Sequence, residues 1–143
     1  VGIPDQILLK PGRLNASEYE VMQRHCAYGS DAIARAETTL GHQAEFLMIA
    51  KEIAGGHHER WDGSGYPLGL KGDAIPISAR LMAIADVYDA LISRRCYKPP
   101  LSHLDVVPMI ERAAGTHFDP EIVEAFASNA HRFDGIAKMY SEP

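Results

Sequence analysis

Cysteine is nearly missing from this chain: Cys26 and Cys96 stand far apart, outside any CxxC spacing. That excludes a disulfide framework and points to a reducing compartment, the cytoplasm. No apolar run approaches the roughly 20 residues of a membrane-spanning helix, and no signal peptide opens the sequence, so no membrane segment is expected. Positive charge is short, with 14 Lys and Arg against 19 Asp and Glu and a net charge of -5. Bulk nucleic-acid binding, which runs on phosphate neutralisation, is thereby disfavoured, although a few local bases can still hold a small phosphate ligand. Internal repeats, low-complexity tracts and β-alternation are lacking too. An initiating Met is also missing at Val1-Gly2-Ile3-Pro4-Asp5, which reads as a piece of something longer.

What is present suits one domain over residues 1–143: 46% hydrophobic and 23% charged residues, enough for a core. Residues 1–14 read as an extended or turning lead-in. Asn15 or Ser17 can cap a helix from about Ser17 to Ala36, with Glu18 and Glu20 at its positive end. Val21, Met22, His25, Gly29 and Ile33 share one face, so His25 points inward and Gly29 lets a neighbour close in. A second helix, about His42 to His57, carries Phe46, Ile49, Ala50 and Ile53 as its buried stripe, which His57 extends. Gly55-Gly56 weakens its last turn and would let His57 and His58 leave the helix together. Residues 59–75 form a long glycine-rich loop, and loops of that length in compact domains are usually functional.

Ile75-Pro76 launches a third helix to about Ser93. Leu81, Ile84, Ala85, Tyr88 and Ile92 form its core stripe, and Asp86 lies among alanines on a second inward face. Helices follow from about His103 to Ala114, capped by Ser102, and from Asp119-Pro120 to about His131. Residues 132–143 read as a weakly structured tail. The fold class is all-α. His42, His103 and His131 are expected to be exposed, Trp61 to anchor the loop by burial, and His117 to fix the turn before the last helix.

Four candidate metal ligands emerge from three helices: His25, His57, His58 and Asp86. Imidazole and carboxylate suit Fe, Mn, Zn or Co. Alone, His25 would be read as a core histidine, and Asp86 as a partner of Arg80 or Arg94. The adjacent histidines do not fit the H-E-x-x-H protease spacing. Two imidazoles splayed at a helix end could each reach a different ion, and a two-metal site activates water on one side and stabilises a leaving oxygen on the other. Cys26 need not be a ligand, since helix neighbours point about 100° apart.

Gly2-Ile3-Pro4-Asp5, Leu9-Lys10-Pro11-Gly12, His25 and the run His57-His58-Glu59-Arg60-Trp61-Asp62-Gly63-Ser64-Gly65-Tyr66-Pro67 together resemble HD-GYP domains. So do Leu70-Lys71-Gly72, Ile75-Pro76, Arg80, Ile84 to Leu91 and Gly115-Thr116-His117-Phe118-Asp119-Pro120. The resemblance spans nearly the whole chain. It implies an all-helical HD-superfamily bundle, here of about five helices with a long GYP loop and the first helices of the full fold missing. It further implies a bacterial phosphodiesterase that opens cyclic di-GMP to pGpG and on to GMP.

By that resemblance His25, His57, His58 and Asp86 ligate two or three ions, Fe or Mn. Arg95 and Lys98 hold substrate phosphate or guanine, while Asp89, Gly63 and Gly65 are substrate-side groups. Gly65, Tyr66 and Pro67 form the signature loop, with Tyr66 structural or in partner contact, not in proton transfer. The family's HD pair, a further helix ligand and a lysine precede the part matched here, and Cys96 stands where the family has proline. The centre is therefore expected to be incomplete, metal binding weak or none and this chain inactive alone, with no certain catalytic residue. The alternative is a non-catalytic module whose GYP loop docks a diguanylate cyclase domain. The resemblance also implies an upstream regulatory domain, and the missing helices are expected to leave an apolar face for homodimer formation.

Overall fold

The computed structural model describes residues 2–40, 44–93 and 99–140. It is all-α. Helix α1 (Asp5–Leu8) is one turn in the lead-in that the sequence suggested would be irregular. It is followed by α2 (Ala16–Leu40), α3 (Glu45–Gly56), a 3-10 turn at Gly72–Ala74, α4 (Ile77–Ile92), α5 (His103–Arg112) and α6 (Pro120–Tyr140).

Asn15 caps α2 reciprocally: its Oδ1 accepts from the Glu18 amide at 2.9 Å, and Glu18 Oε2 accepts from the Asn15 amide at 2.8 Å. The helix runs to Leu40, one turn past Ala36, because nothing in Glu37-Thr38-Thr39-Leu40 breaks it. Thr38 and Thr39 turn their hydroxyls back onto the Ala34 and Arg35 carbonyls, both at 3.0 Å. Helix α3 begins at Glu45, and His42 lies outside the described residues.

Glycine sets the distances between α2, α3 and α4. A Cβ on Gly29 would stand 3.3 Å from Ala54 Cβ, and one on Gly56 would stand 2.9 Å from Ala79 Cβ. The pair at Gly55-Gly56 therefore does not dissolve the helix end. Helix α3 continues through Gly56, where the missing side chain admits α4, and His57 keeps helical dihedrals as its C-cap.

The core lies between α4, α5 and α6, where Ala83, Ile84, Tyr88, Val106, Ile110, Phe118, Val123 and Phe126 cluster. Three expectations are corrected here. Leu81 in the α4 stripe is 53% exposed, and Phe46 and Ile49 on α3 are 67% and 41% exposed, because no described residue covers those faces. His103 is half-buried, with Nδ1 2.8 Å from the Tyr88 hydroxyl. Residues 132–140 are not a loose tail: α6 continues to Tyr140, with Phe133 and Ala137 against the core and Lys138 paired to Asp134 at 2.6 Å. An apolar groove of about 420 Å³ between α4 and α6 is lined by Leu81, Ile122, Phe126, Phe133 and Ile136, with no histidine in its lining. Among the described residues no helix is long and apolar enough to cross a membrane.

Candidate metal centre

Three imidazoles meet where α2 packs on the end of α3. His25 comes from α2, His57 caps α3 and His58 follows it. Their ring centroids lie 4.1 Å apart for His57 and His58, 4.9 Å for His25 and His58, and 5.5 Å for His25 and His57. The helix backbone settles two tautomers. His25 Nδ1 donates to the Met22 carbonyl at 2.6 Å, and His57 Nδ1 donates to the Ile53 carbonyl at 2.8 Å. With Nδ1 donating to a carbonyl, each ring has its Nε2 toward the other, 3.5 Å away, and in the neutral form that nitrogen carries the lone pair.

Two Nε2 atoms at that distance can share a cation, and Nδ1–H bonded to a carbonyl is the usual support behind a metal-ligating histidine. Burial, then the neighbouring His57 and His25, pushes His58 down to about 4, against a smaller opposing pull from Asp86. Neutral imidazole is the form that binds metal. The donor atoms of His25, Cys26, His57 and His58 lie within 4.8 Å of one another, so this cluster could hold a metal ion.

The other sequence candidates fall differently. Asp86 is exposed and stands outside that four-atom group, although its charge is felt at His58. Arg80 is committed elsewhere, to Asp119 at 2.8 Å, Asp73 at 3.2 Å and the Ile75 carbonyl at 2.9 Å, so it is not the partner of Asp86. Asp89, also exposed, accepts from the Ser93 hydroxyl at 3.3 Å. Arg95 and Lys98, with Arg94 and Cys96, lie outside the described residues.

The GYP loop folds back over the histidines. The Tyr66 amide donates to the His58 carbonyl at 3.2 Å, and its ring stacks on His58 at 4.8 Å with Tyr19 edge-on behind. Burial, then Tyr19, pushes the Tyr66 phenol further above its ordinary value, so it stays neutral. The amides of Gly63, Ser64 and Tyr66 are spent within the loop, on the Arg60 carbonyl, the Asp62 carboxylate and the His58 carbonyl. These three amides are therefore not free to hold an anion, and the glycines serve the loop's own path.

Sequence reasoning gave Glu59 no role. It is 2% exposed and accepts from the Leu68 amide at 2.7 Å and the Leu70 amide at 2.9 Å, one carboxylate oxygen to each. Its position beside two histidines hid a staple that closes only nine and eleven residues later. The loop is further tied to the turn before α6, where Trp61 and Asp62 amides donate to the His117 and Thr116 carbonyls. Asp119 caps α6 and pairs with Arg80, whose guanidinium lies 5.6 Å over half-buried Trp61. Glu59→Ala should therefore cost about 2–3 kcal/mol, because each charge-assisted bond is worth about 1.5–3 and the freed amides regain some water. Urea unfolding checks this, and Glu59→Gln, which keeps one acceptor, should lose about half as much.

A pH dependence follows from His117. Burial, then the Arg60 charge, pushes it down from 6.5 to about 4. The folded protein thus binds this proton less readily than the unfolded chain. The stability from the neutral ring is complete above 6.5 and drains as pH falls toward about 4. His58 adds a fall over the same window. Melting temperature in chelator should drop between pH 7 and pH 4 (roughly these two windows), and His117→Gln should flatten part of that drop while leaving the His58 part.

Set beside known proteins, the chain matches the family model described as HD domain over residues 1–122. The chain is an HD-GYP domain of the HD family. This HD-GYP chain is 54% identical over 142 residues, 99% of its length, to a probable cyclic di-GMP phosphodiesterase of Vibrio cholerae, covering 32% of that protein. It is 47% identical over 126 residues to a cyclic di-GMP phosphodiesterase of Thermotoga maritima, covering 88% of this chain and 33% of the other. It is 46% identical over 136 residues to 3'3'-cGAMP-specific phosphodiesterase 2 of Vibrio cholerae, covering 95% and 25%. The domain thus spans about a third or less of the relatives it matches.

Proposed function

We propose that this HD-GYP domain is the hydrolytic part of a metal-dependent cyclic di-GMP phosphodiesterase that yields pGpG and then GMP. The observation that carries the reading is the pair of Nε2 atoms held face to face, 3.5 Å apart, beneath a loop pinned over them. His25, His57 and His58 hold the first ion, and Asp86, on the open side, is available to a second, with Fe or Mn the ions expected. Bound ions supply Lewis acidity at the phosphodiester and lower the pKa of water. Arg95 and Lys98 neutralise substrate phosphate, Asp89 borders the substrate, and the Gly63–Gly65 turn keeps Tyr66 against His58.

The substrate is the open choice within this class, since one relative is named for 3'3'-cGAMP. The test loads the full polypeptide with Mn or Fe and offers cyclic di-GMP and 3'3'-cGAMP separately, following products by chromatography. Linear pGpG from the first is expected, and no product from either with any metal sinks the reading. A second reading, docking of a diguanylate cyclase domain, is favoured by Leu68. It is 75% exposed at the loop tip while its own amide is clamped by Glu59. Binding of a cyclase domain that is lost in Leu68→Asp, with hydrolysis unaffected, would support it.

A further inference from the structure

We propose that Tyr19 is a positioning residue: acting through Tyr66, its ring holds His58 in the orientation that meets an ion. The inference rests on the metal-binding reading above.

The three imidazoles are not supported alike. His25 and His57 are each fixed by an Nδ1 bond to a backbone carbonyl, that of Met22 at 2.6 Å and that of Ile53 at 2.8 Å. His58 follows the end of α3, and among the described residues neither of its ring nitrogens has a hydrogen-bond partner. It nevertheless offers a donor atom to the cluster. A ligand whose ring swings must be ordered when an ion binds, and that ordering weakens binding. Hydrogen bonds behind the ligand ordinarily supply the order in advance. At His58 only aromatic contacts are left to do so.

Those contacts form a circuit that starts and ends on α2. Tyr19 stands edge-on to Tyr66 at 5.8 Å and 83°, Tyr66 stacks on His58 at 4.8 Å and 29°, and His58 stands edge-on to His25 at 4.9 Å and 85°. Tyr19 and His25 are six residues apart, which places their Cα atoms about 9 Å apart along the helix axis. One helix therefore sets both ends of the circuit. A stack alone leaves a ring able to slide in its own plane. A neighbour set edge-on, itself a preferred aromatic arrangement, stops that motion. The Tyr66 backbone is already tied by its amide to the His58 carbonyl at 3.2 Å, so what Tyr19 adds is control of the ring. Tyr19 is 45% exposed and does little for the core, so packing alone does not account for its place against Tyr66.

NMR of the metal-free full chain and manganese titration test the role. In the unsubstituted protein the His58 ring protons should lie upfield of their position in urea, because Tyr66 shields a ring stacked beneath it. Tyr19→Leu should move them back toward that position without lowering the melting temperature in chelator. It should also weaken manganese binding about tenfold, the lower end of what a support behind a ligand is worth. Tyr19→Phe keeps the ring and should retain both the shifts and the affinity. A packing role would instead lower the melting temperature and leave the His58 resonances in place. Unshielded His58 protons in the unsubstituted protein overturn the proposal, and so does a Tyr19→Leu protein that keeps either the shifts or the manganese affinity. Tyr19→Phe as weak as Tyr19→Leu overturns it too, by assigning the effect to the hydroxyl. If the unsubstituted protein binds no manganese while its His58 resonances still respond to Tyr19→Leu, the hold of Tyr19 on His58 stands and the metal-binding reading fails.

Discussion

His57→Ala will abolish the thermal stabilisation that added manganese confers, without lowering the melting temperature of the metal-free protein. The two halves of that expectation come from one geometry. In the metal-free protein, His57 Nε2 sits 3.5 Å from His25 Nε2, a contact at the long limit of a hydrogen bond that contributes little. Its Nδ1 bond goes to the Ile53 carbonyl, which already accepts from the His57 amide at 3.1 Å, so truncation strands no buried acceptor. The ring is half-buried, and little packing is lost. With metal at a hundredfold excess over Kd, binding stabilises the wild type by about 2.7 kcal/mol. Even supporting residues of metal sites are worth about 10–100-fold in affinity, so a lost ligand should cost roughly a hundredfold or more and erase most of that gain. Thermal scans with chelator and with metal test it. A variant several degrees less stable in chelator, yet shifted by metal as far as the wild type, would show that His57 is a packing residue.

The convergence of the three imidazoles was legible from spacing because helical period is a local property. His25 shares a stripe with Val21, Met22 and Gly29, and His57 extends the face of Ile53. The same logic misled at Phe46, Ile49 and Leu81. A stripe says which residues face together, not whether something covers them, and these three remain exposed. Asp86 shows the limit from the other side. Its alanine neighbours leave room around it, but room on α4 is open to water here, and the carboxylate reaches His58 by charge.

What sequence could not reveal are partners that only the fold brings together. Glu59 meets the amides of Leu68 and Leu70 because the GYP loop closes on itself, and Arg80 meets Asp119, thirty-nine residues on, because α4 packs beside α6. Helix ends were the other weak point. Helix α6 passes His131 because Phe133 and Ala137 find the core and Lys138 finds Asp134. The first needs tertiary contact, and the second is a four-residue pair readable from sequence. A search for apolar stripes passes over such a pair because both of its members are charged.

Gly65→Ala should be the most damaging glycine substitution in the loop, above Gly63→Ala and well above Gly72→Ala. Backbone conformation alone predicts the reverse, since Gly63 and Gly72 have φ of 85° and 55° whereas Gly65 is not in the left-handed region. What decides it is proximity. A Cβ on Gly65 would meet the Arg60 nitrogen, the His58 carbonyl oxygen at 2.6 Å and the Glu59 carbonyl carbon at 2.7 Å, all of them backbone. No rotamer relieves such contacts, so the loop must lift off residues 58–60. Lifting breaks the Tyr66 amide bond to His58, withdraws the ring stacked on that imidazole and strains the Glu59 staple. A cost of about 3 kcal/mol or more is expected, at the severe end for a point substitution. At Gly63 the nearest obstacle is the Lys71 side chain at 3.2 Å, and the left-handed φ adds about 1–2 kcal/mol. At Gly72 nothing lies within 4 Å, leaving about 1–2 kcal/mol from conformation. Urea unfolding of the three variants gives the order directly. Gly65→Ala alone should also weaken metal binding, because only there does the loop leave His58. A Gly65→Ala protein no less stable than Gly72→Ala would mean that the loop does not lie against the 58–60 backbone, and that Tyr66 is not held over the histidines.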